Sequence, residues 1–255
     1  MRQRLSLRDV LIGIGMFLLL WQGLTWIINR PIMPGPVEVL PLFVRLLFSE
    51  SEELARHTLA SSGRVLAAMG LAVVTAAPIG MGLGQMRQLD RIFTPLIAIT
   101  YPVPKIVLLP VIYVLLGISD FSKIFLIALI LFFQILVVVR DEAANLQPEL
   151  IFSVRSLGAG RLALFRFVYF PAAMPAVLTA LRISVGTAIA VLFIAEQSLT
   201  EYGLGYYIVV ETYQILRYPE MYCGILAMSL LGLLLYFSID ALEHRVNRHL
   251  YLEAG

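Results

Sequence analysis

Residues 148–182 read PELIFSVRSLGAGRLALFRFVYFPAAMPAVLTALR. Lying between long apolar runs, this stretch is too polar to cross a bilayer throughout and too apolar to be a linker. Pro148 suits the first turn of a helix, where its missing N–H costs nothing, and Gly158 suits the residue just past a helix end, where positive φ is needed. The two punctuation marks predict a helix of about ten residues. Leu150, Val154 and Leu157 recur on one face of it, with Arg155 and Ser156 off that face. Gly160 permits a bend into a second amphipathic piece from Arg161 to Phe170, which Pro171 and Pro175 are expected to stop. The expectation is a short helix–turn–helix at a surface, carrying Arg155, Arg161 and Arg166.

The surface in question is a membrane. Hydrophobic side chains make up 60% of the 255 residues, charged ones 14%, and the mean hydropathy is +0.87. A soluble domain carries about 25% charge. Apolar runs recur throughout with no long polar block, which predicts one domain over 1–255. The net charge of +2 is spread over short loops and not gathered in a stripe, so nucleic acid is no partner. The single cysteine, Cys223, excludes an intramolecular disulfide and a cysteine metal cluster.

Spanning the hydrocarbon core takes about 20 apolar residues. Six such segments are predicted, near 9–28, 59–84, 92–116, 121–139, 176–199 and 221–241. The first, preceded by MRQRLSLRDV, resembles a signal peptide, but its apolar run continues to Ile28 without a small-residue cleavage site and is read as a retained span. With the N-terminus inside, the inner segments hold Arg2, Arg4, Arg8, Arg87, Arg91, Arg140, Arg155, Arg161, Arg166, Arg245 and Arg248. The outer ones hold Arg30, Arg45, Arg56, Arg64, Lys123 and Arg217. Eleven against six predicts cytoplasmic termini and a cytoplasmic loop over about 140–175.

Leu157-Gly158-Ala159, followed by Phe165, Val168, Pro171, Pro175 and Leu181-Arg182, is similar to the "EAA" loop of permease subunits of bacterial ABC importers. Within that family the likeness is to the subgroup handling nitrate, sulfonates, taurine and bicarbonate. Met33-Pro34-Gly35-Pro36-Val37-Glu38-Val39 and Pro104-Lys105-Ile106-Val107-Leu108-Leu109-Pro110 echo two further family runs. The resemblance implies a type I ABC importer permease fold: an all-α integral membrane protein of six transmembrane helices in the bacterial inner membrane. It also implies partners, namely a second permease copy forming a homodimer, two ATP-binding subunits, a periplasmic solute-binding protein and membrane lipid. No cofactor is expected on this chain, and ATP and Mg would bind the partner ATPase. By the same resemblance Glu149, Phe152, Ser153, Arg155, Ser156, Leu157, Gly158 and Ala159 would couple to the ATPase subunit. One departure stands out. The family's Glu-Ala-Ala, six residues before the glycine, is Phe152-Ser153-Val154 here, and the literal Glu142-Ala143-Ala144 lies ten residues too early.

Only two lysines occur, Lys105 and Lys123, and neither follows a glycine, so the chain has no P-loop and is not expected to be an enzyme. Glycines four apart in Gly80-Met-Gly82-Leu-Gly84 favour close helix packing over phosphate binding. Between the first two spans Leu40, Phe43, Leu46 and Leu47 share one face, as in a helix resting on the outer surface.

The third span carries Pro95, Pro102, Pro104 and Pro110, a load that predicts a broken helix lining protein or a water-filled cavity. Candidate pathway or gate residues are Tyr101, Lys105 and Glu196. Lys105 either attracts an anionic solute or seats its amine on carbonyls freed by the prolines, and Glu196 is either a gate or a solvated helix end. Arg182 is expected to snorkel to the cytoplasmic face. At about 21 Å from Glu196 along one helix it cannot pair with it. Tyr202, Tyr206, Tyr207, Tyr213, Tyr218 and Tyr222 suggest an interfacial belt or contact with a solute-delivering protein. His57, His244 and His249 lack a metal-ligand pattern and read as solvated loop or tail residues. An ion-coupled secondary transporter would need intramembrane acids and a repeated half, of which only Glu196 is evident. An intramembrane enzyme would need a catalytic set that does not recur at membrane depth.

Overall fold

The computed structural model describes residues 7–48, 54–197 and 199–246, and every regular element among them is helical. In order these are α1 (Leu7–Ile28), α2 (Pro36–Phe48), α3 (Leu54–Gln85), α4 (Arg87–Thr100), α5 (Leu109–Leu116), α6 (Asp120–Ala144), α7 (Pro148–Ser156), α8 (Arg161–Leu164), α9 (Phe170–Glu196), α10 (Leu204–Tyr206) and α11 (Tyr218–Val246). Short 3₁₀ turns cover Lys105–Leu108 and Tyr213–Ile215, and wider π turns cover Phe165–Tyr169 and Tyr207–Thr212. Arg2, Arg4, Glu50, Arg248 and His249 lie outside the described residues.

Five helices are long and apolar enough to cross a membrane, and counting the pair α4 with 105–116, bent by 81°, as one span makes six. The six predicted segments are all present. Most run past the hydrocarbon length, with 32 residues in α3 and 29 in α11. Of the four prolines in the third span, Pro95 sits within α4, Pro110 starts α5 where no partner N–H is missed, and the break falls at 101–104 around Pro102 and Pro104.

The expected stop at Pro171 and Pro175 does not occur. A helix runs from 162 to 196 as one candidate span, and Pro175 lies inside α9. The π turn over Phe165–Tyr169 widens the ladder just before Pro171, and such a turn absorbs the missing hydrogen bonds without ending the helix. The second amphipathic piece is therefore the start of the fifth span.

By internal contacts the chain divides into two compact units, residues 1–60 with 196–229 and residues 61–195 with 230–255. The second holds a core of Leu126, Ile127, Leu131 and Ile135 from α6 with Ala173, Ala188, Leu192 and Ala195 from α9, all at most 4% exposed. In it α3 lies hard against α6. A Cβ on Gly84 would stand 2.5 Å from the Arg140 carbonyl oxygen and 2.7 Å from the Ala143 Cβ, and one on Gly80 3.0 Å from the Leu136 oxygen. Helix packing is thus the role of these glycines, whereas Gly82 faces open space.

In the first unit α2 buries Pro36, Val39 and Leu46 while Leu40 is exposed. Phe43 and Leu47 are half-buried on the same side as Leu46. Trp21 of α1 donates its indole N–H to the Pro34 oxygen at 3.0 Å and stacks on Tyr222 of α11.

Candidate functional site

The predicted coupling residues fall on α7 and its cap. Pro148 occupies the first turn, Leu157 is the C-cap, and Gly158 has φ +83°, donating its N–H to the Arg155 carbonyl at 3.0 Å. That is the left-handed stop read from the sequence. The inward face differs from the predicted one. Ile151 and Val154 are the half-buried apolar residues, while Leu150, Phe152 and Leu157 stand exposed, Leu157 at 86%. Two large apolar side chains on a nine-residue helix and a third on its C-cap thus face outward together. Glu149, Arg155 and Ser156 flank them, also exposed, with Ala159 half-buried. Ser153 returns its hydroxyl to the Glu149 carbonyl, so Glu149, Phe152 and Ser153 share one turn. Glu142 is exposed in the last turn of α6, but Ala143 beside it is fully buried against α3, which leaves the literal Glu-Ala-Ala as an α6 packing element.

In the broken span the Lys105 ammonium donates to the carbonyls of Thr100 at 2.9 Å, Tyr101 at 3.1 Å and Val103 at 3.2 Å, and lies 4.3 Å from the Phe133 ring centre. Pro104 removes the N–H that an unbroken helix would offer to Thr100. The lysine supplies that donor and clasps the corner from within. Tyr101 caps α4, half-exposed.

Glu196 is no solvated helix end. It is fully buried, and its Oε2 accepts the Gly205 N–H at 3.1 Å, securing the loop that follows its own helix. His57, expected in a loop, is buried in the first turn of α3. Its Nδ1 accepts the Gly203 N–H at 2.9 Å, while Nε2 faces Glu211 at 3.3 Å and the ring packs on Tyr206 and Tyr207. Of the six outer tyrosines, then, Tyr206, Tyr207 and Tyr222 are packing residues, and Tyr213 is the exposed one.

Charge clusters that single residues did not announce hold the second unit. Arg182 does not snorkel but is buried between Asp240 at 3.1 Å and Glu243 at 2.9 Å. Arg64 and Lys123, assigned above to outer loops, are buried helical residues meeting at Asp120. Asp90 joins α4 to Arg140 of α6. Spacing could not have suggested them, since each pairs residues some 50 or more positions apart, Asp120 with Lys123 excepted.

A family model described as "Binding-protein-dependent transport system inner membrane component" matches residues 71–250. The chain belongs to that family. This ABC permease is 30% identical over 248 residues to the taurine transport system permease protein TauC of Escherichia coli (strain K12), covering 94% of this chain and 90% of TauC. To SsuC of the same organism, named for aliphatic sulfonates transport, it is 29% identical over 226 residues, covering 88% and 84%. To the formylaminopyrimidine transport permease protein ThiX of Halalkalibacterium halodurans it is 28% identical, covering 90% of each. A solved structure titled as inward-facing conformations of the MetNI methionine ABC transporter matches with a TM-score of 0.65 at 21% identity, covering 78% of this chain and 99% of that one, a likeness of fold. The permease is thus the multi-pass inner-membrane component of a binding-protein-dependent ABC transporter, distinct from its ATPase.

Proposed function

We propose that two copies of the permease line the path of a small anionic or polar solute, handed over by a periplasmic binding protein and driven by two ATP- and Mg-binding subunits seated on α7. The observation that carries this reading is α7 itself, with exposed Leu150, Phe152 and Leu157 on a helix stopped by a left-handed glycine. Glu149, Phe152, Ser153, Arg155, Ser156, Leu157, Gly158 and Ala159 form the docking face, and the termini lie in the cytoplasm with it. The missing Glu-Ala-Ala acid leaves apolar contact through Phe152 as the main grip. The names of TauC and SsuC support an anionic solute, while ThiX is named for formylaminopyrimidine at similar identity. Tyr101 and Lys105 mark the bend in the wall of the path, and Glu196 anchors an outer gate loop.

Reconstituting the permease with its ATPase and binding protein in vesicles tests the reading. Uptake of a small sulfonate should require ATP and the loaded binding protein together. Uptake driven by an ion gradient without the ATPase would overturn it.

A further inference from the structure

A cleft of about 490 Å³ opens in the first unit where α1 ends and α11 begins, walled by the 29–36 turn. Its volume lies within the range of small-ligand sites. Asn29, at the C-terminal end of α1, has φ +42° and donates its N–H to Thr25, which turns the chain so that Arg30 follows beyond the end of the apolar helix. The turn is braced by the Trp21 indole on the Pro34 carbonyl and by the Tyr222 hydroxyl on the Met33 sulfur at 2.8 Å. Arg30 and Glu38 both line this cleft, both exposed, and neither side chain has an ion pair or hydrogen bond to another described residue. Trp26 and Tyr218 complete the rim, Trp26 three-quarters exposed.

Two features locate the cleft at the level of lipid headgroups. It lies at the ends of two candidate spans, and the apolar window of α1 leading into it is 0% buried, a face that acyl chains would cover. An exposed Trp and a half-buried Tyr at span ends belong at that same depth. Unpaired charges of opposite sign around one cleft are complementary to a ligand carrying both charges. A guanidinium suits a phosphate, and a carboxylate suits an ammonium that can donate hydrogen bonds. An anionic lipid would gain Arg30 but be repelled by Glu38, and a quaternary amine would offer Glu38 no N–H.

We propose that this cleft binds the phosphate–ammonium zwitterion of a phosphatidylethanolamine headgroup, phosphate on Arg30 and primary amine on Glu38, with its acyl chains against α1.

The test uses the permease purified with its ATPase, stripped of lipid in mild detergent and offered equal amounts of dioleoyl phosphatidylethanolamine, phosphatidylglycerol and phosphatidylcholine. Retained lipid is read by native mass spectrometry. The parent should keep the ethanolamine lipid preferentially. Arg30→Gln and Glu38→Gln should each lower its retention about two- to fivefold, the factor that one exposed charge pair carries. Exchanging the charges, Arg30→Glu with Glu38→Arg, should restore it. Since neither side chain has a partner to lose among the described residues, melting temperatures before lipid addition should match the parent, and the exchanged variant controls for any that do not. Equal retention by parent and both glutamine variants overturns the proposal. So does retention of phosphatidylglycerol that only Arg30→Gln abolishes, which marks a plain phosphate site. Displacement of the lipid by free glycerophosphoethanolamine would show a soluble zwitterion to be the ligand and would equally overturn it.

Discussion

Arg140 holds Asp90 with two N–H groups, Nε to Oδ1 at 2.5 Å and Nη2 to Oδ2 at 3.1 Å, and reaches Thr94 with the second at 2.9 Å. This forked bond joins the first turn of the bent span to the last turns of α6, three residues upstream of α7 by way of 145–147. Any pull on α7 is therefore delivered close to a rigid link into the broken helix. Breaking it with Asp90→Asn should cost about 1–2 kcal/mol, between an exposed pair and a fully buried one. In the assembled transporter the same change should loosen the response of ATP hydrolysis to loaded binding protein. A double-mutant cycle with Arg140→Gln should find the two losses overlapping, and full additivity would remove the link from the mechanism.

Arg182 is the costlier residue. Glu243 also accepts the Thr179 hydroxyl at 2.9 Å, and Asp240 contacts the His244 ring as well, so Arg182→Met leaves two acids without their cation. Removing one partner of a buried pair costs about 3–5 kcal/mol. Membrane abundance should fall sharply. Adding Glu243→Leu should recover part of it, because one of the two stranded charges is gone, and a double variant worse than the single one would contradict this account.

How much of this was legible in the sequence varies with the range of the interaction. Apolar runs announced all six spans, and Pro148 with Gly158 bounded α7, because both signals are local. Pro171 and Pro175 were misread, since a π turn ending two residues before Pro171 relieves the ladder there and no composition rule announces such a turn. His57 and Arg182 looked solvated, and Glu196 a gate or a solvated end, because their partners, Gly203, Asp240 and Gly205, are brought near only by the fold. The cleft at Arg30 and Glu38 was equally invisible, being shaped by a turn whose braces come from α1 and α11.

With three carbonyls on its amine, Lys105 should behave as a clasp. Lys105→Met should lower the melting temperature by several degrees while uptake per assembled transporter stays within about twofold of the parent. The opposite pattern, unchanged melting with a tenfold loss of uptake, would transfer the lysine to the solute path.

The orientation proposed from the arginine bias, which grows once Arg64 and Lys123 are recognised as buried and paired, is tested by labelling. In a Cys223-free background, cysteine at 158 should label only after the cytoplasmic face is opened, and cysteine at 213, where Tyr213 is 55% exposed, from the periplasm. Labelling of position 158 in intact cells by an impermeant reagent ends this orientation and the docking role of α7 with it.

Gly158 separates folding from docking. At φ +83° any Cβ is strained by about 1 kcal/mol, yet beyond its chain neighbours no atom of the described residues lies within 4 Å of where that Cβ would be. Gly158→Asn, which tolerates the left-handed region, should be nearly silent, Gly158→Ala mildly impaired, and Gly158→Leu severely so only where a partner covers the site. Insertion and abundance should stay normal in all three, while Gly158→Leu loses the ATPase on co-purification and its hydrolysis no longer responds to loaded binding protein. Glu142→Ala, exposed on α6 and outside the docking face, should match the parent. Should Glu142→Ala uncouple transport while Gly158→Leu leaves it intact, the docking helix lies one element earlier, at the end of α6.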